Sequence, residues 1–428
     1  MTIRDCRFEV PNRTAGSALY HAGIWVDPLL FDEQPAVNVT RRLRIHDCVF
    51  PFIEDIAIAF NMAQLDDVEI RNCDLGNSGN HCIHTGNTGG FGLVVRDCLL
   101  DNKPAAETET VNTDPVWFNP NSFGSGLPVN GIVIADNELR EWGNSAINFH
   151  GKYRQVLVED NVFGTGTFVP TFYGVLQRHS DQQMQVRRNH FLKLNGGAVY
   201  VYGRGCTVTD NLMIQVGSPG GTSTRGVYLL GALPADGVPV EPGGNVVAYN
   251  LMVNLKSDGI TEVAHTSDFR HRDNRIFNNT IVYCGGNGML LGGDRHMVFN
   301  NIIVACGSTG SQAGLNLQSG ATLALEDFNL LFNTINFLGW STPGPHDLLG
   351  VNPRFVDITP IEAAKGADQP VSAALVLASL ALAADSPARG AGMNPSGAAA
   401  PDYFTDLGAI RAVGVATGIP ASRWALYR

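Results

Sequence analysis

The sequence predicts an all-β chain wound as a single-stranded right-handed parallel β-helix, a solenoid of about 12 coils with a C-terminal cap. Two observations predict it. One short pattern recurs along the chain: a β-rich strand, a tight bend at Asn or Cys, a second short strand, then a Gly-rich turn into a third. Its pivots are Cys6, Cys48, Cys73, Cys98, Asn137, Asn161, Asn189, Asn211, Asn250, Asn279, Asn301 and Asn329, spaced 22 to 29 residues apart except for three stretches near 40. The composition agrees: 48 glycines, 44% hydrophobic and only 16% charged residues describe a folded chain that turns often.

Each part of the pattern has a physical reason. Strands of three to five alternating residues, as in Val156-Leu-Val-Glu-Asp-Asn161 and Cys206-Thr-Val-Thr-Asp-Asn211, put one face inward and one outward. Asn tolerates a left-handed backbone better than other non-glycine residues, so the pivot itself is expected to make the bend. Coils stack about 4.8 Å apart, so aligned Asn side chains can hydrogen-bond up the stack as a ladder. The right-handed wind follows from the general preference of parallel crossovers.

Four of the eight cysteines occupy pivots of consecutive coils and are expected as small buried free thiols. Side chains in a parallel stack suit a disulfide poorly, and no Cys-x-x-Cys pair suggests zinc. The expected organisation is a parallel β-helix over 1–335 and a capping segment over 336–428 packed on the helix end. Its Ala-rich part, 362–384, is expected to be partly helical and to cover an open sheet edge.

A net charge of −11 with no basic stripe argues against nucleic acid as a partner. The longest apolar run, Ala373 to Ala384, is too short to span a bilayer, so no membrane partner is expected. Met1 to Cys6 lacks the apolar stretch of a signal peptide and reads as the middle of a repeat. The expectation is an N-terminally truncated chain of secreted, periplasmic or cell-surface origin. Oligomeric state stays open between monomer and trimer.

Coils such as Asn279-Thr-Ile-Val-Tyr-Cys-Gly-Gly-Asn-Gly288 resemble the pectate-lyase-like superfamily. The strings Asn352-Pro-Arg-Phe-Val-Asp357 and Ser386-Pro-Ala388 are similar to the ends of secreted bacterial β-helix proteins. The resemblance covers nearly the whole chain but is specific to architecture. It implies carbohydrate-active relatives such as lyases, hydrolases and epimerases, alongside phage tailspikes, and does not choose among them.

Such folds bind polymer across one long sheet, taken here as the strand after the Gly-rich turn. Alternation places Trp25 and Asp27, Ala57 and Ala59, His84, Trp117 and Asn119, Asn148 and His150, and Leu176 and Arg178 on its outer face. Tyr200 and Tyr202, Tyr228, Thr261, Leu290, and Asn316 with Gln318 continue the row. Insertions at 28–41, 101–115, 119–130, 215–225, 231–245 and 262–273 are expected to wall it. Aromatic faces beside hydrogen-bonding groups suit sugar rings.

The first expectation is therefore an extracellular polysaccharide lyase acting by β-elimination on a uronate polymer, with His84, His150, Arg178 and Tyr200 as catalytic candidates. Histidine or tyrosine can act as base or acid, and arginine can neutralise the sugar carboxylate. Trp25, Asp27, Trp117, Asn119, Asn148, Tyr202, Tyr228, Arg270 and Arg272 are candidate substrate contacts. No cofactor is required; calcium is compatible but has no clear site.

The alternative is a glycoside hydrolase, which needs two carboxyl groups drawn from Asp27, Glu109, Asp114, Asp181, Asp236, Glu241, Asp258, Glu262 and Asp268. Asn112-Thr-Asp114 resembles a motif of pectin-type hydrolases, but the companion signatures are missing, so it reads as chance. Glu262 follows inward Ile260 by two and is expected to be structural or perturbed. Asp268 to Asp273 reads as a self-neutralising surface knot. A third class is a non-catalytic tailspike or adhesin.

Overall fold

A computed structural model describes residues 1–9, 22–26, 39–53, 55–61, 64–76, 78–86, 89–102, 114–119, 129–150, 153–166, 172–178, 183–216, 225–231, 243–264, 271–307, 310–339, 342–365, 371–395 and 406–409. The chain is a right-handed parallel β-helix built on three parallel sheets. Each coil contributes one strand to each sheet. In one coil these are Tyr153–Glu159, Val162–Phe163 and Tyr173–Gln177. The coils group into two compact units, one of Met1–Asn189 with Tyr200–Gly203 and one of His190–Val199 with the residues from Arg204 on.

The bend between the first and second strands fixes the coil. Every pivot from Cys6 to Asn329 is preceded by a residue with φ between 51° and 60°. The left-handed residue is thus the one before the pivot, where the sequence suggested the pivot itself. Asp or Asn fills this place in most coils, as at Asp47, Asp97, Asp136, Asp160 and Asp210, because their short side chains tolerate the conformation best. Arg188, Tyr249 and Phe328 also adopt it, so the stack imposes the conformation on less suitable residues.

Freed from that duty, the pivot side chain turns inward and ties neighbouring coils. In the first unit the backbone N–H and Nδ2 of Asn137 both donate to Asn161 Oδ1, at 3.0 and 2.9 Å. Asn161 donates to Asn189 Oδ1 in the same way, both at 3.0 Å. Asn161 Nδ2 also reaches back to the carbonyl of Ile134 at 2.9 Å. The second unit repeats the ladder through Asn211, Asn250, Asn279, Asn301 and Asn329.

The pivot cysteines occupy the same place with one donor fewer. Cys73 Sγ lies 3.5 Å from the Ile45 carbonyl and Cys98 Sγ 3.8 Å from that of Ile70, matching the Nδ2 contact of the asparagines. All eight cysteines are free thiols, and all but Cys6 are buried. Burial pushes the Cys48 thiol up to about 11 and that of Cys82 to about 12, so neither is a ready nucleophile.

In the second unit the second sheet is apolar on both sides. Met213, Met252, Ile281, Ile303 and Leu331 are buried on one face, while Leu212, Leu251, Ile302 and Leu330 join a separate cluster on the other. That outer cluster is completed by Ile361, Val376, Leu380, Leu382 and Leu407 of the C-terminal segment. Its helices, Thr359–Ala363 and Ala373–Ser379, therefore lie along the flank of the coils. Asn254, Asn278 and Asn300 secure it by donating to the carbonyls of Ile361, Asp406 and Met393. Parallel pairing also runs past residue 335, through Phe337–Gly339 and Leu348–Leu349.

Asn250→Leu would strand the Asn211 amides and the Val208 carbonyl inside the second unit. The expected loss is about 2–5 kcal/mol, read from denaturant unfolding. A change within about 0.5 kcal/mol, typical of a surface site, would show that the ladder contributes no stability.

Candidate functional site

The third sheet of the first unit carries the candidate site. Parallel register aligns one residue per coil on its outer side: Trp25, Ala59, His84, Trp117, Asn148 and Leu176 are consecutive partners. The alternate residues Ile58, Ile83, Val116, Ile147 and Val175 face the core and are fully buried apart from solvent. This strict alternation brings side chains distant in sequence onto one line.

That line is less open than alternation alone suggests. Trp25 is 42% exposed, but Ala57, Ala59 and Leu176 are buried, and Asn148 retains only 3% of its surface. Ala57 and Ala59, expected on an open face, thus offer no contact to a ligand. Tyr200 is also buried, whereas Tyr202 is half-buried.

At the centre three rings meet. His84 stacks on Trp117 with centroids 4.9 Å apart and planes at 26°. His81 lies 4.7 Å from the same indole and 5.3 Å from His84. Gly86 keeps space beside them, because a Cβ there would lie 3.3 Å from both His84 Cε1 and Asn61 Oδ1. His81 Nδ1 is 2.7 Å from the Asp114 carbonyl, which can only accept, so Nδ1 carries the proton and Nε2 the lone pair.

Burial governs the charge of these rings. It lowers the His84 imidazole to about 4. Burial, with help from His84, lowers His81 to about 3. Both are therefore neutral across the physiological range, and His84 is the less buried of the two.

Asp114 underlies the row. Its Oδ1 accepts from the Ser145 N–H at 2.6 Å, and its Oδ2 accepts from Asn148 Nδ2 at 3.1 Å and Asn144 Nδ2 at 3.3 Å. Desolvation raises this carboxyl to about 6, against the opposing pull of those donors and of the Arg178 charge. Asp114 thus orients Asn148 in the outer row. The sequence dismissed its motif as chance, and His81 was missed altogether; only the proximity of His81 to His84 in sequence hinted at it.

Beside this group stands an aromatic run. Tyr173 is 4.6 Å from Tyr200, which is 4.9 Å from Tyr202, and the last two hydroxyls are 3.2 Å apart. The run joins the Asp114 group through the Tyr173 N–H, which donates to the Asn144 carbonyl. Arg178 is exposed just past the strand end, and half-buried His150 follows the strand Ser145–Phe149.

Other candidates do not join the group. Tyr228 and Arg272 belong to the second unit, where Arg272 bridges the backbones of Gly243 and Asp294. Asp273 pairs with Arg295 of the next coil, so the proposed knot is not self-contained. Glu262 is fully buried 2.8 Å from His296, also in that unit. Asp27, Glu109, Asp181, Asp236, Glu241, Asp268 and Arg270 lie outside the described residues, as do the side chain of Asn119 and much of each insertion. Among the described residues, no group of three or more His, Cys, Asp or Glu could hold a metal ion, and no helix is long and apolar enough to cross a membrane.

No family model and no curated protein matches the sequence. Among solved structures, the chain is similar to a double mutant of the periplasmic alginate epimerase AlgG, at 13% identity and a TM-score of 0.41, over 74% of this chain and 78% of that one. It is also similar to the A-module of the mannuronan C-5 epimerase AlgE4 of Azotobacter vinelandii, at 13% identity and a TM-score of 0.40, over 74% and 86%.

Folded His81 and His84 resist protonation, while unfolded imidazoles take a proton near 6.5. The folded state therefore binds fewer protons, and stability falls as pH drops from 6.5 towards about 4. Imidazole NMR should show the His84 midpoint near 4, and Trp117→Ala should raise it towards 6.5 by readmitting water. A wild-type midpoint already at 6.5 would contradict the burial of this ring.

Proposed function

We propose that the outer face of the third sheet in the first unit binds a uronate-containing polysaccharide and cleaves it by β-elimination. The observation that carries the reading is His84: a neutral imidazole, stacked on Trp117, in an outer row with Asn148. An imidazole unprotonated down to about pH 4 keeps a lone pair free to receive the proton at C5 of a uronate. Indole and tyrosine faces suit the apolar side of a sugar.

In this reading His84 removes the C5 proton and the electron pair left on C5 forms the C4–C5 double bond. The C4–oxygen bond breaks, and the departing oxygen takes the proton of the Tyr200 hydroxyl, which without substrate is donated to the Tyr202 hydroxyl at 3.2 Å. Arg178 neutralises the uronate carboxylate, which makes the C5 proton more acidic. His150 is the reserve acid, and Trp25 extends the binding face. Asp114 acts through Asn148 and is a positioning residue.

One observation favours hydrolysis as a second reading: the Asp114 carboxyl, raised to about 6, is in the range of a general acid. Its two oxygens are already engaged by Ser145, Asn144 and Asn148, which weighs against that role.

The test is incubation with pectic, alginate, glycosaminoglycan and neutral polysaccharides, following unsaturated product and reducing ends together. Both should rise on an acidic polymer, and His84→Ala should lower kcat about 10²–10⁴-fold. The acid limb of kcat/KM should fall near pH 4 rather than 6.5. Reducing ends without unsaturation would transfer the case to hydrolysis, and neither signal on any polymer would favour a binding protein.

A further inference from the structure

The asparagine ladder of the second unit ends in acid. Pairing of Leu330 with Leu348 and of Leu331 with Leu349 makes Asp347 the partner of the pivot Asn329. An aspartate thus stands where the inner coils carry asparagine. In those coils one Oδ1 accepts both the N–H and the Nδ2 of the preceding pivot, as Asn329 does for Asn301 at 3.0 Å each. At the last step the two donors part. The Asn329 N–H donates to Asp347 Oδ1 at 2.7 Å, and its Nδ2 donates to Glu326 Oε1 at 3.0 Å.

The remaining oxygens of the two carboxyl groups meet at a single donor. The Gly344 N–H donates to Glu326 Oε2 at 2.7 Å and to Asp347 Oδ2 at 2.9 Å. A Cβ at Gly344 would collide with the Glu326 carbonyl oxygen, so only glycine brings its N–H this close. One N–H does not offset the repulsion of two full negative charges. The two side chains also hydrogen-bond each other, which requires a proton on one of them. Desolvation, followed by the neighbouring Asp347, raises Glu326 to about 9, and desolvation raises Asp347 as well. Among the described residues, the other titratable groups beside the pair are Asp327 and His346, which bond each other at 2.7 Å. Val298, the neighbour of Glu326 in the preceding coil, carries no charge.

We propose that Glu326 and Asp347 share one proton and so form a pH-sensitive latch on the last coil. With the proton held, the pair and Gly344 clamp residues 342–347 against the strand Leu323–Asp327. Leu348 and Gly350 then extend the second sheet by donating to the carbonyls of Asn329 and Leu331, both at 2.8 Å. Loss of the proton leaves two adjacent carboxylates and drives the loop off, which uncovers the edge of the strand Leu330–Phe332. The closed pair keeps a proton that the opened form releases above the ordinary glutamate value of 4.5. The stabilisation is therefore complete below that value and is lost as pH rises through about 9. This latch stands apart from the polysaccharide reading and from the His84 group.

Hydrogen exchange of the full chain, followed by mass spectrometry as protection factors of the amides at 348–350, tests it. Because opening releases one proton, wild-type protection should fall about tenfold per pH unit between pH 6 and 8. Glu326→Gln should remove that dependence, since its amide donates to Asp347 without a titrating proton. Asp347→Asn restores the asparagine of the inner coils; it should do the same, and it guards against misfolding of the first variant. Both variants keep Asp327 and His346, so titration of that pair is not what they remove. Constant wild-type protection from pH 6 to 8 overturns the latch, and so does an undiminished fall in both folded variants.

Discussion

The structure depends on one local constraint, the left-handed residue ahead of each pivot. It turns the chain sharply enough that the pivot side chain faces inward, where an asparagine amide can bond to the coils on both sides. A one-residue slip would send every outward side chain of the next strand to the core. The ladder prevents that slip within each unit, and the site exists because of it. His84, Trp117 and Asn148 come from three separate coils and are neighbours only because their strands are held in register.

The same stacking sets the chemistry. A histidine on an exposed strand would titrate near its ordinary value, but here Trp117 and His81 press against His84 and exclude water from it. Trp117 therefore does two things at once: it presents an aromatic surface and keeps the adjacent imidazole neutral. Asp114 works from below, where three donors compensate part of the cost of its burial. The row has lost openness in exchange, with Ala59 and Leu176 buried between its polar members.

Much of the fold was legible because a repeat reports the same constraint many times. The pivots, the strand alternation and the buried free cysteines were each readable as physical requirements of a stacked coil. The residue that makes the bend was misassigned by one place, since Tyr249, Phe328 and Arg188 carry no sign of a left-handed backbone. The apolar outer face of the second sheet was invisible for a related reason: Leu212 and Ile214 look like ordinary strand residues until the C-terminal segment is seen to cover them. At the site, His84, Trp117 and Asn148 followed from alternation. His81 and Asp114 did not, because His81 opens its strand and Asp114 precedes one by two residues, and their contacts run between coils.

The central claim is that a uronate residue lies over Trp117 with its C5 proton directed at His84. A crystal structure of His84→Ala soaked with the acidic oligosaccharide that the wild type cleaves tests it most directly. The account predicts a sugar stacked on Trp117, its C5 facing the cavity left at position 84 and its carboxylate towards Arg178. An oligosaccharide bound with full occupancy on another sheet, leaving the Trp117 face empty, would contradict it.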